Sequence, residues 1–295
     1  MMHCIKKYFE LIRLVLKYGR WFHSEDDFNR SRKVSLLELQ DFVPSGRSVS
    51  QRSYTTLLSK KTLTRSLVSQ LAFFKKSIQK TGGHLTASNT SYIRIPKSAS
   101  TSVSKAMLEK IYPVLKQSAI NEKQINYLTD VNLHVLGTQS ANHTYFTIVR
   151  NPFSRLVSVY RSFFENNSQD YIYRDYLFGI LPPHLSFFDF VDRIAHIPDR
   201  LKDQHIKPQN CFLEYYEKKK IEVKVLKLED SEKLNQFLSQ NSLQLAHVNK
   251  SAETYDYRAY YNANTLSKVY ELYKMDFERF GYQQEYKKVA DYLNK

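Results

Sequence analysis

Lys97, Ser98, Ala99, Ser100, Thr101 and Ser102 place one lysine ahead of a run of small and hydroxyl side chains. Such a set suits a bound anion. Small residues let backbone N–H groups come close, hydroxyls add donors, and the lysine adds a full charge. A second basic cluster lies fifty residues on, where Arg150 precedes Asn151 and Pro152, and Ser154, Arg155, Ser158 and Arg161 follow. On a helix, positions 154, 158 and 161 share one stripe. Arg150 at its start and Ser158 within it are spaced to grip one phosphate between them. Arg155 and Arg161 fit surface charge as well as ligand contact.

The elements that must hold these clusters are legible around them. Residues 92–95 form a short apolar run that suits a buried strand, and Pro96 stops it. Val103, Met107, Ile111 and Val114 then recur at helical spacing, so residues 97–102 are a loop between strand and helix. Residues 145–149 repeat the pattern. Asn151 is a good N-cap, Pro152 a good first helical residue, and Leu156, Val159, Tyr160 and Phe163 make the apolar face. Further strands are expected over residues 131–136, which carry His134, and over 222–228. Helices are expected over 57–78, 187–197, 231–238 and 265–280, with partial helix over 116–130. Ser186 and Asp189 make a capping box for the helix over 187–197.

The order Pro96, Lys97, Ser98, then Ser100, Thr101 and Ser102, is not a Walker loop, since the segment holds no glycine and the lysine comes first. It resembles the 5′-phosphosulfate loop of sulfotransferases, which use 3′-phosphoadenosine 5′-phosphosulfate (PAPS). The second cluster, Arg150 through Tyr160, resembles the 3′-phosphate motif of the membrane-associated carbohydrate sulfotransferases of the chondroitin, HNK-1 and heparan 2-O type. The resemblance runs from about residue 91 to residue 282 and carries several expectations. It implies a three-layer α/β fold, P-loop-like, with a central parallel sheet and strand–loop–helix phosphate sites. Arg150 and Ser158 fall on the family's 3′-phosphate ligands. The stretch from Ala246 to Ser251 resembles a loop that closes over the nucleotide, which makes Lys250 and Ser251 expected contacts. A histidine in a His-Val context is the proposed base in heparan-type relatives, and His134 with Val135 matches it. Asp203, His205, Pro208 and Gln209 resemble a segment near the acceptor cleft, so His205 is the second base candidate. Leu228, Glu229 and Asp230 resemble the end of a core strand.

The reaction so implied moves a sulfuryl group from PAPS to a hydroxyl of a carbohydrate or glycolipid. Lys97 and the amides of residues 98–102 would stabilise charge on the leaving oxygen. No metal is required, and no CxxC or HExxH pattern is present. A P-loop-like kinase would need the absent GK[ST] sequence. A non-catalytic basic protein that binds nucleotides or sulfated glycans would explain the net charge of +15 but not two phosphate motifs.

The 295 residues are enough for one catalytic domain, expected over 88–295, with a partly helical N-terminal extension over 1–87. Cys4 and Cys211 are the only cysteines, too few for a disulfide framework. No apolar run reaches membrane-spanning length, and Arg13 and Lys17 interrupt the one stretch resembling a secretory signal. A cytoplasmic setting is expected. Residues 5–22 form a basic amphipathic pattern that fits either peripheral contact with an anionic membrane or docking on the domain itself. Nucleic acid is not an expected partner.

Overall fold

A computed structural model describes residues 83–135, 143–165, 180–181, 185–245 and 255–294, together with the single positions Phe9 and Arg13. The helix expected over 57–78 lies outside the described residues. So does the segment over 5–22, apart from those two positions, both exposed.

The sheet has five strands in the order β3-β1-β2-β4-β5. These are β1 (Gly83–Ala87), β2 (Thr90–Ile93), β3 (His134–Val135), β4 (Thr144–Val149) and β5 (Val223–Lys227). The sheet is mixed, which corrects the expected central parallel sheet at one strand, β1. The reversal is confined to β1, which is antiparallel to both of its neighbours; β2, β4 and β5 pair parallel, and β3 runs in their direction. The reason is local: a two-residue turn, Ser88 and Asn89, joins β1 to β2, and so short a link can only return the chain antiparallel. Ser88 takes φ 55° there. The sheet therefore begins at Gly83, ahead of the expected domain start at residue 88.

Helices cover both faces of the sheet, giving three layers. Alternation along the strands divides the core. Tyr92, Phe146 and Ile148 pack with Val103, Ala106 and Met107 of α1 (Ser100–Ile111). Ile93, Tyr145 and Val149 pack on the other face with Phe153, Leu156 and Val157 of α3 (Pro152–Tyr160). A smaller cluster, Leu108, Leu115, Ile125 and Leu128, joins α1 to α2 (Glu122–Asn132).

Two helices depart from expectation. The alternation over 131–136 suggests a strand, yet α2 continues to Asn132, and among the described residues the strand there is His134–Val135. Buried side-chain bonds from Thr129 to the Ile125 carbonyl and from Asn132 to the Leu128 carbonyl accompany that last turn. The single helix expected over 265–280 is two, Ala263–Leu272 and Lys274–Arg279, parted at Tyr273. Tyr273 is buried and donates its hydroxyl to the Ile206 carbonyl at 2.7 Å, so a tertiary contact sits at the break. The expected helices at 187–197 and 231–238 are present as Phe187–Ala195 and Ser231–Gln240. Ser186 caps the first by accepting from the Asp189 N–H.

Candidate active site

The loop after β2 supplies the first half of the site. Lys97 has φ 67° and Ala99 φ 55°, both left-handed. Neither is glycine, so each costs about 1–2 kcal/mol of backbone strain. Strain retained in a loop of this kind marks a conformation held by its surroundings. Ala99 is the N-cap of α1 and offers no side-chain cap. The first free N–H groups of α1, at Ser100, Thr101 and Ser102, thus meet no capping oxygen from Ala99. Lys97 is half-buried. Burial pushes its ammonium down to about 8, Glu122 pulls it back up, and Arg150, Arg94 and Arg155 add repulsion.

Arg150 closes the other side. It follows the last residue of β4, just ahead of Asn151, which caps α3 by accepting from the Phe153 N–H. Arg150 Nε donates to Ser154 Oγ at 2.9 Å and Nη1 to the Lys97 carbonyl at 3.3 Å. Among the described residues no carboxylate lies within ion-pair distance of Arg150 or Lys97. Ser158, two turns along α3, is half-buried, and its hydroxyl has no hydrogen-bond partner among them. Two cations and an uncapped helix start therefore lie together where an acid would neutralise them in an ordinary protein interior, with Ser158 one turn beyond Ser154 on α3.

The remaining predicted residues separate. Ser98 is fully buried and donates its hydroxyl to Gln209 Oε1 at 3.3 Å, leaving only its amide to the loop. Thr101 Oγ1 lies 3.5 Å from Glu122 Oε1. His205 joins the cluster: its ring packs edge-on to Phe163 at 5.1 Å, and Lys97 Nζ lies 5.9 Å from the same Phe163 ring. His205 Nδ1 contacts Asp203 Oδ1 at 2.6 Å. Burial lowers its pKa from the ordinary 6.5 despite Asp203, and Lys97 and Arg94 push the same way. The backbone of His134 lies on the edge strand β3, paired with His84 and separated from β2 by β1; its side chain lies outside what is described. Two strand spacings set it about 10 Å across the sheet from β2. Lys250 and Ser251 lie outside the described residues.

Four residues, Arg155, Gln209, Asp276 and Glu229, hold the site together in roles that the sequence alone does not assign them. Arg155 is buried, and its guanidinium donates to the carbonyls of Pro96, Lys207 and Gln204 at 3.0, 2.9 and 3.1 Å. It clamps the loop to the His205 segment and is neither surface charge nor a free anion ligand. Gln209 bonds Arg150 from beneath. Asp276 accepts the N–H groups of Gln209 and Asn210 at 2.7 and 2.8 Å. Burial raises its carboxyl to about 6 against the pull of those two bonds and of Arg155. Glu229, noted only as a strand ending, accepts the Asn151 N–H at 2.7 Å and the Tyr282 hydroxyl at 2.7 Å. A signal existed for two of these: Arg155 lies three residues after Pro152 and four before Val159, and Asp276 beside Phe277, both on apolar faces.

Among the described residues no group of three or more His, Cys, Asp or Glu side chains could hold a metal ion, and no helix is long and apolar enough to cross a membrane. A family model described as "Sulfotransferase family" matches residues 87–283. No curated protein and no solved structure gives a significant match. The match spans about two-thirds of the chain and both halves of the site, and the protein belongs to the sulfotransferase family.

Proposed function

We propose that this sulfotransferase uses PAPS as sulfuryl donor and acts on a hydroxyl of a carbohydrate or glycolipid, releasing 3′-phosphoadenosine 5′-phosphate (PAP). The observation that carries the reading is the unneutralised Arg150, held by Ser154 and the Lys97 carbonyl beside an uncapped helix start. These residues fit a nucleotide with phosphates at both ends. Lys97 and the amides of Ser98, Ala99, Ser100, Thr101 and Ser102 bind the 5′ end. Arg150 and Ser158 bind the 3′-phosphate, and Lys250 and Ser251 close over it.

PAPS supplies an activated sulfuryl group whose leaving oxygen gains negative charge on transfer. Lys97 and the loop amides are placed to stabilise that charge without reorganising, which is where such interactions count most. His205 is the acceptor base in this reading. Asp203 holds Nδ1, so the neutral imidazole keeps its proton on that nitrogen and presents Nε2 as acceptor. The lowered pKa keeps the ring neutral at physiological pH. His134, favoured by its His-Val context, takes second place because its strand lies at the far edge of the sheet.

The test is calorimetry with PAP and with adenosine 5′-phosphate, which lacks the 3′-phosphate. Wild-type protein is expected to prefer PAP. Arg150→Ala is expected to lose about 1.5–3 kcal/mol of PAP binding, the worth of a charge-assisted bond, and much less with adenosine 5′-phosphate. Ser158→Ala follows the same pattern with a smaller loss. Equal losses for both ligands would contradict the assignment.

A further inference from the structure

Gln209 has no exposed surface, and every polar atom of its side chain is engaged. Its Oε1 accepts the Arg150 N–H at 2.9 Å and the Ser98 hydroxyl at 3.3 Å. Its Nε2 donates to the Arg150 carbonyl at 2.8 Å. The amide thus closes a two-bond ring on the Arg150 backbone, as a neighbouring strand would. It does so where β4 has ended and its ladder to β5 no longer serves Arg150. The backbone of Gln209 is fixed in turn by Asp276, whose carboxylate takes the N–H groups of residues 209 and 210.

We propose that Gln209 is a positioning residue for 3′-phosphate recognition, locking the Arg150 backbone to the Ser98 loop so that the guanidinium keeps one direction. The proposal rests on the nucleotide reading given above and adds the residue that makes the reading selective. An arginine side chain is long, and its head points reproducibly only if its backbone is held. Ser154 and the Lys97 carbonyl steady the head, and Gln209 steadies the root. The same side chain touches the loop through Ser98, so the two phosphate-binding elements share one fixed reference. No other side chain type of this length offers both an acceptor and a donor in one plane without charge. Glutamate would set a second oxygen against the Arg150 carbonyl, and methionine would leave both Arg150 backbone groups unpaired in the interior.

The test compares wild type and Gln209→Met by calorimetry with PAP and with adenosine 5′-phosphate, alongside thermal melting of each. A positioning role predicts that the preference for PAP falls at least tenfold, while affinity for adenosine 5′-phosphate changes less than threefold. Parallel loss of both affinities, or an unchanged preference, overturns the proposal. Should Gln209→Met not melt cooperatively, Ser98→Ala decides. It removes one bond to the same amide oxygen and nothing from the apolar core, and it is expected to lower the preference two- to fivefold; an unchanged preference overturns the proposal. A wild-type protein that shows no preference for PAP would instead refute the nucleotide reading itself.

Discussion

Lys97 and His205 approach the same Phe163 ring from different segments, and each carries a separate expectation. Charge on the leaving oxygen exists only in the transition state, so Lys97→Ala is expected to lower kcat about 10²–10³-fold. PAP affinity should change far less. An unchanged kcat, measured in single turnover, would remove Lys97 from the chemistry. His205→Ala is expected to lose about 10²–10⁴ in transfer while binding PAP as wild type does, because the base acts on the acceptor proton. The wild-type acidic limb of the pH–rate profile should lie below 6.5, since burial outweighs Asp203 at this ring. If His205→Ala keeps the wild-type profile and His134→Ala loses transfer, the base is His134. At this scale the charged ligands were legible in the sequence because cations and hydroxyls cluster there. Gln209 and Asp276 were not, because their work is done by contacts 59 and 67 residues away along the chain.

The loop and its helix show how an element can be right for its ligand and costly for itself. Ala99 sits at φ 55° at the start of α1, where glycine would carry no steric penalty. Ala99→Gly is therefore expected to raise stability by up to about 1 kcal/mol, partly offset by the freer unfolded chain. PAP affinity should stay within twofold, because the ligand contacts there are backbone N–H groups. A melting temperature that falls would show that the alanine methyl contributes packing which outweighs the strain. The strand–loop–helix units were legible because Pro96, Asn151 and Pro152 punctuate them. The terminal helix break was not, because Tyr273 fits the helical pattern and the bond to Ile206 that meets it at the break is tertiary. The hairpin of β1 and β2 was hidden for a similar reason: its turn, Ser88 and Asn89, lacks the glycine that usually announces one.

Across the whole molecule, the +15 charge and a lysine lowered by burial meet in the pH dependence of binding. The Lys97 ammonium titrates near 8 in the folded protein against 10.5 for an ordinary lysine. Between those values the unfolded chain holds the proton and the folded chain does not. The contribution of Lys97 to stability therefore rises as pH climbs from about 8 towards 10.5, and its penalty is constant below 8. A bound anion favours the charged form. PAP binding at pH 8.5 should take up protons, and affinity should fall as pH rises through 8. Calorimetry in two buffers of different ionisation enthalpy measures the uptake; none in wild type, or an equal uptake in Lys97→Ala, would place the titration elsewhere. The three-layer plan could be read from alternating apolar runs and helical faces. The mixed sheet could not, since strand direction depends on partners that a sequence pattern does not name.

Sulfuryl transfer itself is measured with labelled PAPS. Wild-type protein is incubated with sulfur-labelled PAPS and a panel of carbohydrate and glycolipid acceptors, and label in acceptor and PAP released are measured together. At least one acceptor is expected to gain label in equal amount to the PAP formed, with both lost in Lys97→Ala. Tight, 3′-phosphate-selective PAP binding with no acceptor-dependent PAP release across the panel would contradict the proposed transfer.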